Sequence, residues 1–392
     1  MDKAQLVETN FDNSTQNLNT KRIWQPRRIL AVKLDALGDA LLTTPALRAI
    51  KATYPTAQLE VLTAAGGPAL AGLPYIDRVL NFDKYSYDSP REALKLVNLA
   101  KALKFALQLA CVRYDAVIFF HHFTLAFGAL KFAGLGLATL APLRVGLDNG
   151  LGRAWFLNRR VKDEGFGAKN EREYWLELAE AIGAKLPEGD DGKPELFVSK
   201  DAKARAQELW AKIDNGKSPV IAIGPGGGNY SLARRWLPVG FAKVADGLVK
   251  QFDAKIVIMG SSEEIGLGQE IRGLMTYPEA VTIIAGETRV DEAVAFLENC
   301  ALFIANDGGL THLAAVAKTP SVVLFGPSNA MAWRPFGEKV AVVQASLDLP
   351  CRPCLYRGKQ LGSRYGCAPR PCLTAITPAQ VLEVAEQLIN SR

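Results

Sequence analysis

Short apolar runs rich in β-branched residues recur along the chain, separated by stretches in which apolar residues return at helical spacing. The runs are "RILAVKL" (28–34), "QLEVLTA", "DAVIFF" (115–120), "PVIAIG" (219–224), "KIVIMG" (255–260), "VTIIAG", "ALFIAND" and "PSVVLFG" (320–326). Runs this continuous are strands buried on both faces, so the pattern predicts an α/β protein with parallel sheets covered by helices. It restarts after a polar, Pro- and Gly-rich stretch, "AKLPEGDDGKPELFVSK" (184–200), the best linker candidate. The expected layout is a leader at 1–24, a first doubly wound domain at 25–185, a linker at 186–200, a second domain at 201–376, and a final helix at 377–392. That helix begins with Thr377 as cap and Pro378 at the first helical position, and is expected to pack back on the first domain. Ligands of open α/β sheets bind beyond the carboxyl ends of the strands. The loops after 34, 120, 224, 260 and 307 should therefore line a cleft between the domains.

Composition adds little to this picture. With 392 residues the chain fits two domains, and 49% hydrophobic with 22% charged residues is ordinary for a globular protein. The net charge of +6 suits anionic small molecules or an acidic membrane surface, but the basic residues are spread along the chain and no nucleic-acid partner is expected. The polar first 24 residues lack the apolar stretch of a signal peptide and read as disordered, which places the protein in the cytoplasm. The apolar stretch from Leu125 to Leu143 is broken by Lys131 and glycines and falls short of a bilayer span. It reads as a buried helix or as a segment resting on the inner face of the cytoplasmic membrane. Cys111 and Cys300 sit in apolar helical text and read as core.

Four places carry possible chemistry. "KLDALGDALLTTPALRAI" (33–50) puts Gly38 and Asp39 between a strand and a helix. Asp39 is either the helix cap or a reactive acid; a rival helix start at Thr44 and Pro45 leaves it on a loop. "GPGGGNYSLARRWLP" (224–238) follows a strand with glycines whose amides can approach a phosphate, and with Arg234 and Arg235 to neutralise it. The spacing fits neither the dinucleotide fingerprint nor a P-loop. "NDGGLTHLAAV" (306–316) offers Asp307, two glycines and a second helix amino end, with His312 reading as structural rather than catalytic. The remaining histidines, His121 and His122, follow "VIFF". Finally Cys351, Cys354, Cys367 and Cys372 form a C-x-x-C and a C-x4-C pair, suited to a structural zinc or to a reduced cysteine-rich loop.

Together these stretches resemble glycosyltransferase family 9, the lipopolysaccharide heptosyltransferases. The resemblance rests on "ILAVKLDALGDALLTTPALRAIKATYP", "GPGGGNYSLARRWLPVGFAKVADGL" and "ANDGGLTHLAAVAKTPSVVLFGPS", in the family's order. It implies a GT-B fold, two facing Rossmann-like domains with the nucleotide sugar held mainly by the second. It further implies that Asp39 is the general base, with Gly38 and Lys33 on the acceptor side. Donor contacts would fall on Gly226, Gly227, Arg234, Arg235, Asp307, Gly308, Gly309, Thr311 and His312, with Glu263 in "GSSEE" as the acid against ribose. Where the family carries a hydroxyl residue after the acid this chain has Gly308, so a phosphate contact there must come from backbone amides.

The function so implied is inverting transfer of a sugar, heptose from ADP-heptose, to a hydroxyl of a lipopolysaccharide core or related glycan, by chemistry that calls for no metal cofactor. Partners would be the nucleotide-diphosphate sugar and a lipid-linked or glycan acceptor. Two other readings share the architecture: a sugar-nucleotide epimerase, which makes product from donor alone, and a non-catalytic nucleotide-sugar-binding subunit, which binds donor without turnover.

Overall fold

Two six-stranded parallel sheets form the frame. The computed structural model describes residues 24–213, 216, 218–228 and 231–391; the expected leader therefore lies outside the described residues except for Trp24. The first sheet contains β1 (Arg28–Lys33), β2 (Gln58–Thr63), β3 (Arg78–Asn81), β4 (Ala116–Phe119), β5 (Leu143–Asp148) and β6 (Arg159–Lys162) in the order β3-β2-β1-β4-β5-β6. The second contains β7 (Val220–Gly224), β8 (Lys255–Ile258), β9 (Val281–Ile283), β10 (Leu302–Asn306), β11 (Ser321–Leu324) and β12 (Val340–Val343) in the order β12-β11-β10-β7-β8-β9. In each, the chain starts centrally, winds to one edge, returns and winds to the other. The reversal lies between β1 and β4 in one sheet and between β7 and β10 in the other, where Val32 pairs with Phe119 and Ile304 with Ile223. Loops leaving these strands diverge there and leave a crevice.

Burial explains which strands were legible. β4, β7, β10 and β11 are buried along their whole length. The edge strands β3 and β6 are partly exposed and carry mixed sequences, so they do not read as apolar runs. β5 was hidden because Gly146 and the leucines before it continue the preceding helical text.

Residues 184–199 connect the sheets without helix or strand. This segment is tied to the first half by Arg48, whose Nε and Nη2 donate to Asp190 at 2.6 and 2.7 Å and whose Nη1 donates to Glu195 at 2.7 Å. The Pro378–Asn390 helix does not return to the first sheet as expected. Val381 and Ala385 enter the second sheet's core, against the helix Pro238–Phe252 and β10 to β12, because that face would otherwise be uncovered.

Three further expectations are corrected. Cys111 is exposed, while Cys300 is buried. The stretch 125–143 is not a buried helix: the helix Ala126–Ala138 buries Ala129, Phe132, Ala133 and Gly136 and leaves Leu130 and Leu137 outside. Among the described residues no three histidine, cysteine or acidic side chains converge as a metal site, so the structural zinc on Cys351, Cys354, Cys367 and Cys372 is not supported. Cys372 lies in the second core beside Leu373 and Ile376, and Cys351 and Cys367 are exposed.

Candidate active site

A cavity of about 980 Å³ lies between the carboxyl ends of the two sheets. Lys33, Asp35, Gly38 and Asp39 line it from the loop after β1, and His121 and His122 from the loop after β4. Gly227, Gly228 and Arg234 enter after β7, and Asp307, Gly308, Gly309 and His312 after β10. The loop after β8, also expected at the cleft, contributes none of the lining.

Asp39 is the N-cap residue of neither of the helices proposed for its segment. The chain forms a short helix, Leu37–Leu41, then a second, Thr44–Thr53, with Pro45 in its first turn. Asp39 sits in the first turn of the short one and accepts a hydrogen bond from the Ala36 amide at 3.2 Å. A helix amino end favours the ionised form of an acid, but here it does not prevail. Burial outweighs the amide bond: it pushes Asp39 up to about 7, against the pull of Lys33 and with help from the negative charges of Asp35 and Glu171. An acid at that value is divided between its two forms near neutral pH, as suits a general base.

Beneath Asp39 lies a charged network that crosses the first sheet. Lys33 is buried, 3.0 Å from Asp35 Oδ2, with its ammonium 4.3 Å from the centre of the Trp175 ring. Burial works against its charge, but Asp35, Asp39 and Glu171 hold its pKa above the ordinary value. Asp35 also bonds His121 Nδ1 at 3.1 Å, and Lys33 and His121 keep its carboxyl well below the usual range in spite of burial. His122 is clasped by two acids, Asp163 at 2.9 Å from Nδ1 and Glu171 at 3.0 Å from Nε2. Burial alone would discharge the ring; Glu171 and Asp163 instead push it up to about 9. Sequence reading missed Asp35, His121, Glu171 and His122 as a group.

The facing wall is built from the glycine-rich loop. Gly227 and Gly228 have φ of +144° and +72°, conformations that side chains strongly disfavour. Asn306, also missed, holds this loop: its Nδ2 donates to the carbonyls of Pro225 at 2.6 Å and Gly226 at 2.8 Å, and its Oδ1 accepts from the Trp236 amide. Arg234 Nη1 lies 3.4 Å from Asp307 Oδ2, while the buried Arg234 Nε has no partner among the described residues. A buried guanidinium N–H left open beside a cavity is a ready anion ligand.

The other expected donor residues are placed as follows. Arg235 points away from the cavity toward Glu264, 3.5 Å from Nη2. Glu264 is buried beneath Gly226, where any Cβ would collide with its carboxylate. Glu263 is exposed and lies outside the cavity lining. Thr311 is buried, its hydroxyl donating to the Gly308 carbonyl at 2.7 Å. His312 is neutral, because burial drives its pKa down to about 4 and Arg234 adds to this while Asp307 opposes it. Its ring meets the first half at Gly38, where a Cβ would lie 2.8 Å from His312 Cδ2.

The profile of glycosyltransferase family 9 (heptosyltransferase) matches residues 102–364, about two thirds of the chain. The chain belongs to that family. The glycosyltransferase is 26% identical to lipopolysaccharide heptosyltransferase 2 of Escherichia coli K12 over 327 residues, covering 81% of this chain and 88% of that one. It is 29% identical to lipooligosaccharide heptosyltransferase 2 of Haemophilus influenzae over 214 residues, a match spanning 52% of this chain and 58% of that relative's length. The solved structure of E. coli ADP-heptose lps heptosyltransferase II superposes with a TM-score of 0.68 at 25% identity, covering 93% and 99% of the two chains. Two facing sheets in this order, shared with that structure, are the GT-B arrangement.

Proposed function

We propose that the protein transfers heptose from ADP-heptose, with inversion, to a hydroxyl of a lipopolysaccharide core acceptor. The observation that carries this reading is one cavity that unites a near-neutral acid, Asp39, with a cationic, amide-rich wall, Arg234 and Gly227 to Gly228. In the reaction Asp39 takes the proton of the acceptor hydroxyl as its oxygen bonds to the anomeric carbon. The bond from that carbon to the diphosphate breaks on the opposite face, and its electron pair leaves on the phosphate oxygen. Arg234 and the glycine amides stabilise the charge that gathers there. Lys33, His121 and Asp35 form a rigid polar floor on the acceptor side. The E. coli relatives' names support heptose as the sugar and lipopolysaccharide as the acceptor.

The experiment is turnover of nucleotide-diphosphate sugars with a truncated lipopolysaccharide core acceptor. ADP-heptose is expected to be preferred, with ADP released and the new linkage inverted. Preference for a uridine or guanosine donor would remove the heptose assignment, and product from donor alone would remove the transferase mechanism in favour of epimerisation.

The pH profile provides a second check. Only ionised Asp39 can accept the proton, so kcat should fall about tenfold per unit below pH 7 and level off above it. Glu171→Gln removes a negative charge that raises Asp39, so the break should move to lower pH. An unmoved break would show that another group sets it.

A further inference from the structure

The cysteine-rich stretch carries a hairpin that joins the two halves of the molecule. Its strands β13 (Leu355–Arg357) and β14 (Gln360–Gly362) pair antiparallel beyond the second sheet. The hairpin is fixed to its own half by the Cys354 and Leu355 amides, which donate to the Pro327 carbonyl at 2.9 and 2.8 Å. Its tip reaches the other half. The Gly358 carbonyl accepts from the Phe166 amide at 2.6 Å, and Lys359 Nζ donates to the Asn149 carbonyl at 2.6 Å. So close an approach needs Gly165, at φ +93°, where a Cβ would lie 2.7 Å from the Gly358 main chain.

Three rings meet on this bridge. Phe166 from the loop after β6, Trp333 at the end of the helix Ala330–Trp333, and Tyr356 in β13 all line the cavity that holds Asp39. The centre of the Tyr356 ring lies 5.3 Å from that of Phe166 and 5.2 Å from that of Trp333, and Phe166 and Trp333 are 6.2 Å apart, so the three form one aromatic patch. Tyr356 is held at φ +52°, a backbone conformation that a bulky residue adopts only where its surroundings impose it. Strain kept at a cavity wall points to a side chain whose placement is used.

Position decides which part of the substrate the patch meets. The phosphate wall comes from the loops after β7 and β10, whereas the three rings follow β6, β11 and β12. Phe166 packs on His122 with ring centres 4.5 Å apart, and His122 is paired with Glu171, whose charge acts on Asp39. The rings therefore continue the acceptor floor. A pyranose carries its hydroxyls at the rim and presents an apolar face of C–H groups, whose slight positive charge suits the negative face of an aromatic ring. We propose that Phe166, Trp333 and Tyr356 are the stacking platform for a sugar ring of the acceptor, holding it while Asp39 takes the hydroxyl proton. This rests on the transferase reading but not on which sugar the donor carries.

The test uses the full chain with ADP-heptose and a lipid-free lipopolysaccharide core oligosaccharide, by steady-state kinetics and by titration calorimetry of the oligosaccharide alone. Tyr356→Ala and Trp333→Leu should each raise the acceptor KM and the calorimetric Kd about five- to tenfold, while kcat and the donor KM change less than about twofold. Tyr356→Phe keeps the ring and should regain most of the affinity. Thermal melts establish that the variants are folded, and if Tyr356→Ala is not, Trp333→Leu, which keeps an apolar filler, decides. Unchanged acceptor KM and Kd in the folded variants would overturn the platform and leave the transferase reading intact, as would a rise confined to the donor KM. If the parent binds the oligosaccharide, the variants bind it weakly and no sugar is transferred to it, the transferase reading fails and the platform stands as a saccharide site. A parent that binds no oligosaccharide overturns the platform.

Discussion

Asp39→Asn is expected to lower the turnover number by about 10²- to 10⁴-fold, the contribution of a positioned general base, while the protein stays folded. Asparagine keeps the shape of the side chain and can still accept from the Ala36 amide, but it cannot take a proton. Stability separates this outcome from simple damage. An acid raised from its usual 3.8 to about 7 in the folded state binds more protons there than when unfolded, so folding is weakened as pH climbs through that window and stays weaker above it. The asparagine variant escapes that loss and should melt at or above the parent's temperature at pH 8. Near-parental transfer in a well-folded variant would dismiss Asp39 as the base. Asp39→Ala makes the contrasting control, since it also drops the hydrogen bond to Ala36 and should cost about 1 kcal/mol.

Arg234→Ala carries the second large effect. The guanidinium is the cation of the donor wall, and its loss leaves the diphosphate to the glycine amides alone and breaks the pair with Asp307. Turnover should fall about 10²- to 10³-fold, the range seen when one preorganised donor to developing charge is removed. Arg234→Lys should recover part of this, because it restores charge without the planar fork. The decisive measurement is steady-state kinetics with donor varied at saturating acceptor. If the alanine variant keeps the parent's kcat and its KM for donor, Arg234 does not serve the leaving group.

The central strands and the loops that leave them were legible because each is written in contiguous residues: an unbroken apolar run, then glycine, then a charge. Asp39, Arg234 and Asp307 could be picked out on that basis. The edge strands β3 and β6 were not, since half-exposed mixed sequence resembles loop. The polar floor was harder still. Asp35 meets His121 across 86 positions and Asn306 meets Pro225 across 81, so neither pair has a local signature. A trace did exist, because Asp35 and His121 each follow the carboxyl end of a strand already expected to face the cleft. For Asp39 the sequence pointed to a residue that lines the cleft but not to its protonation, because burial, which works against its ionisation, depends on residues far away in the chain. Cys111, in the 96–112 helix, was read as core for the mirror reason: apolar text does not say which side of it will be water.

At the floor of the cleft, Gly38 abuts His312 and Gly309, and Gly308 abuts Gly227, with no room for a methyl group at Gly38 and little at Gly308. The approach of the two walls is therefore limited at Gly38, whose bare Cα faces the His312 ring and the Gly309 main chain. Enlarging Gly38 would act as a shim between the halves, spreading the jaws without touching a single reacting group.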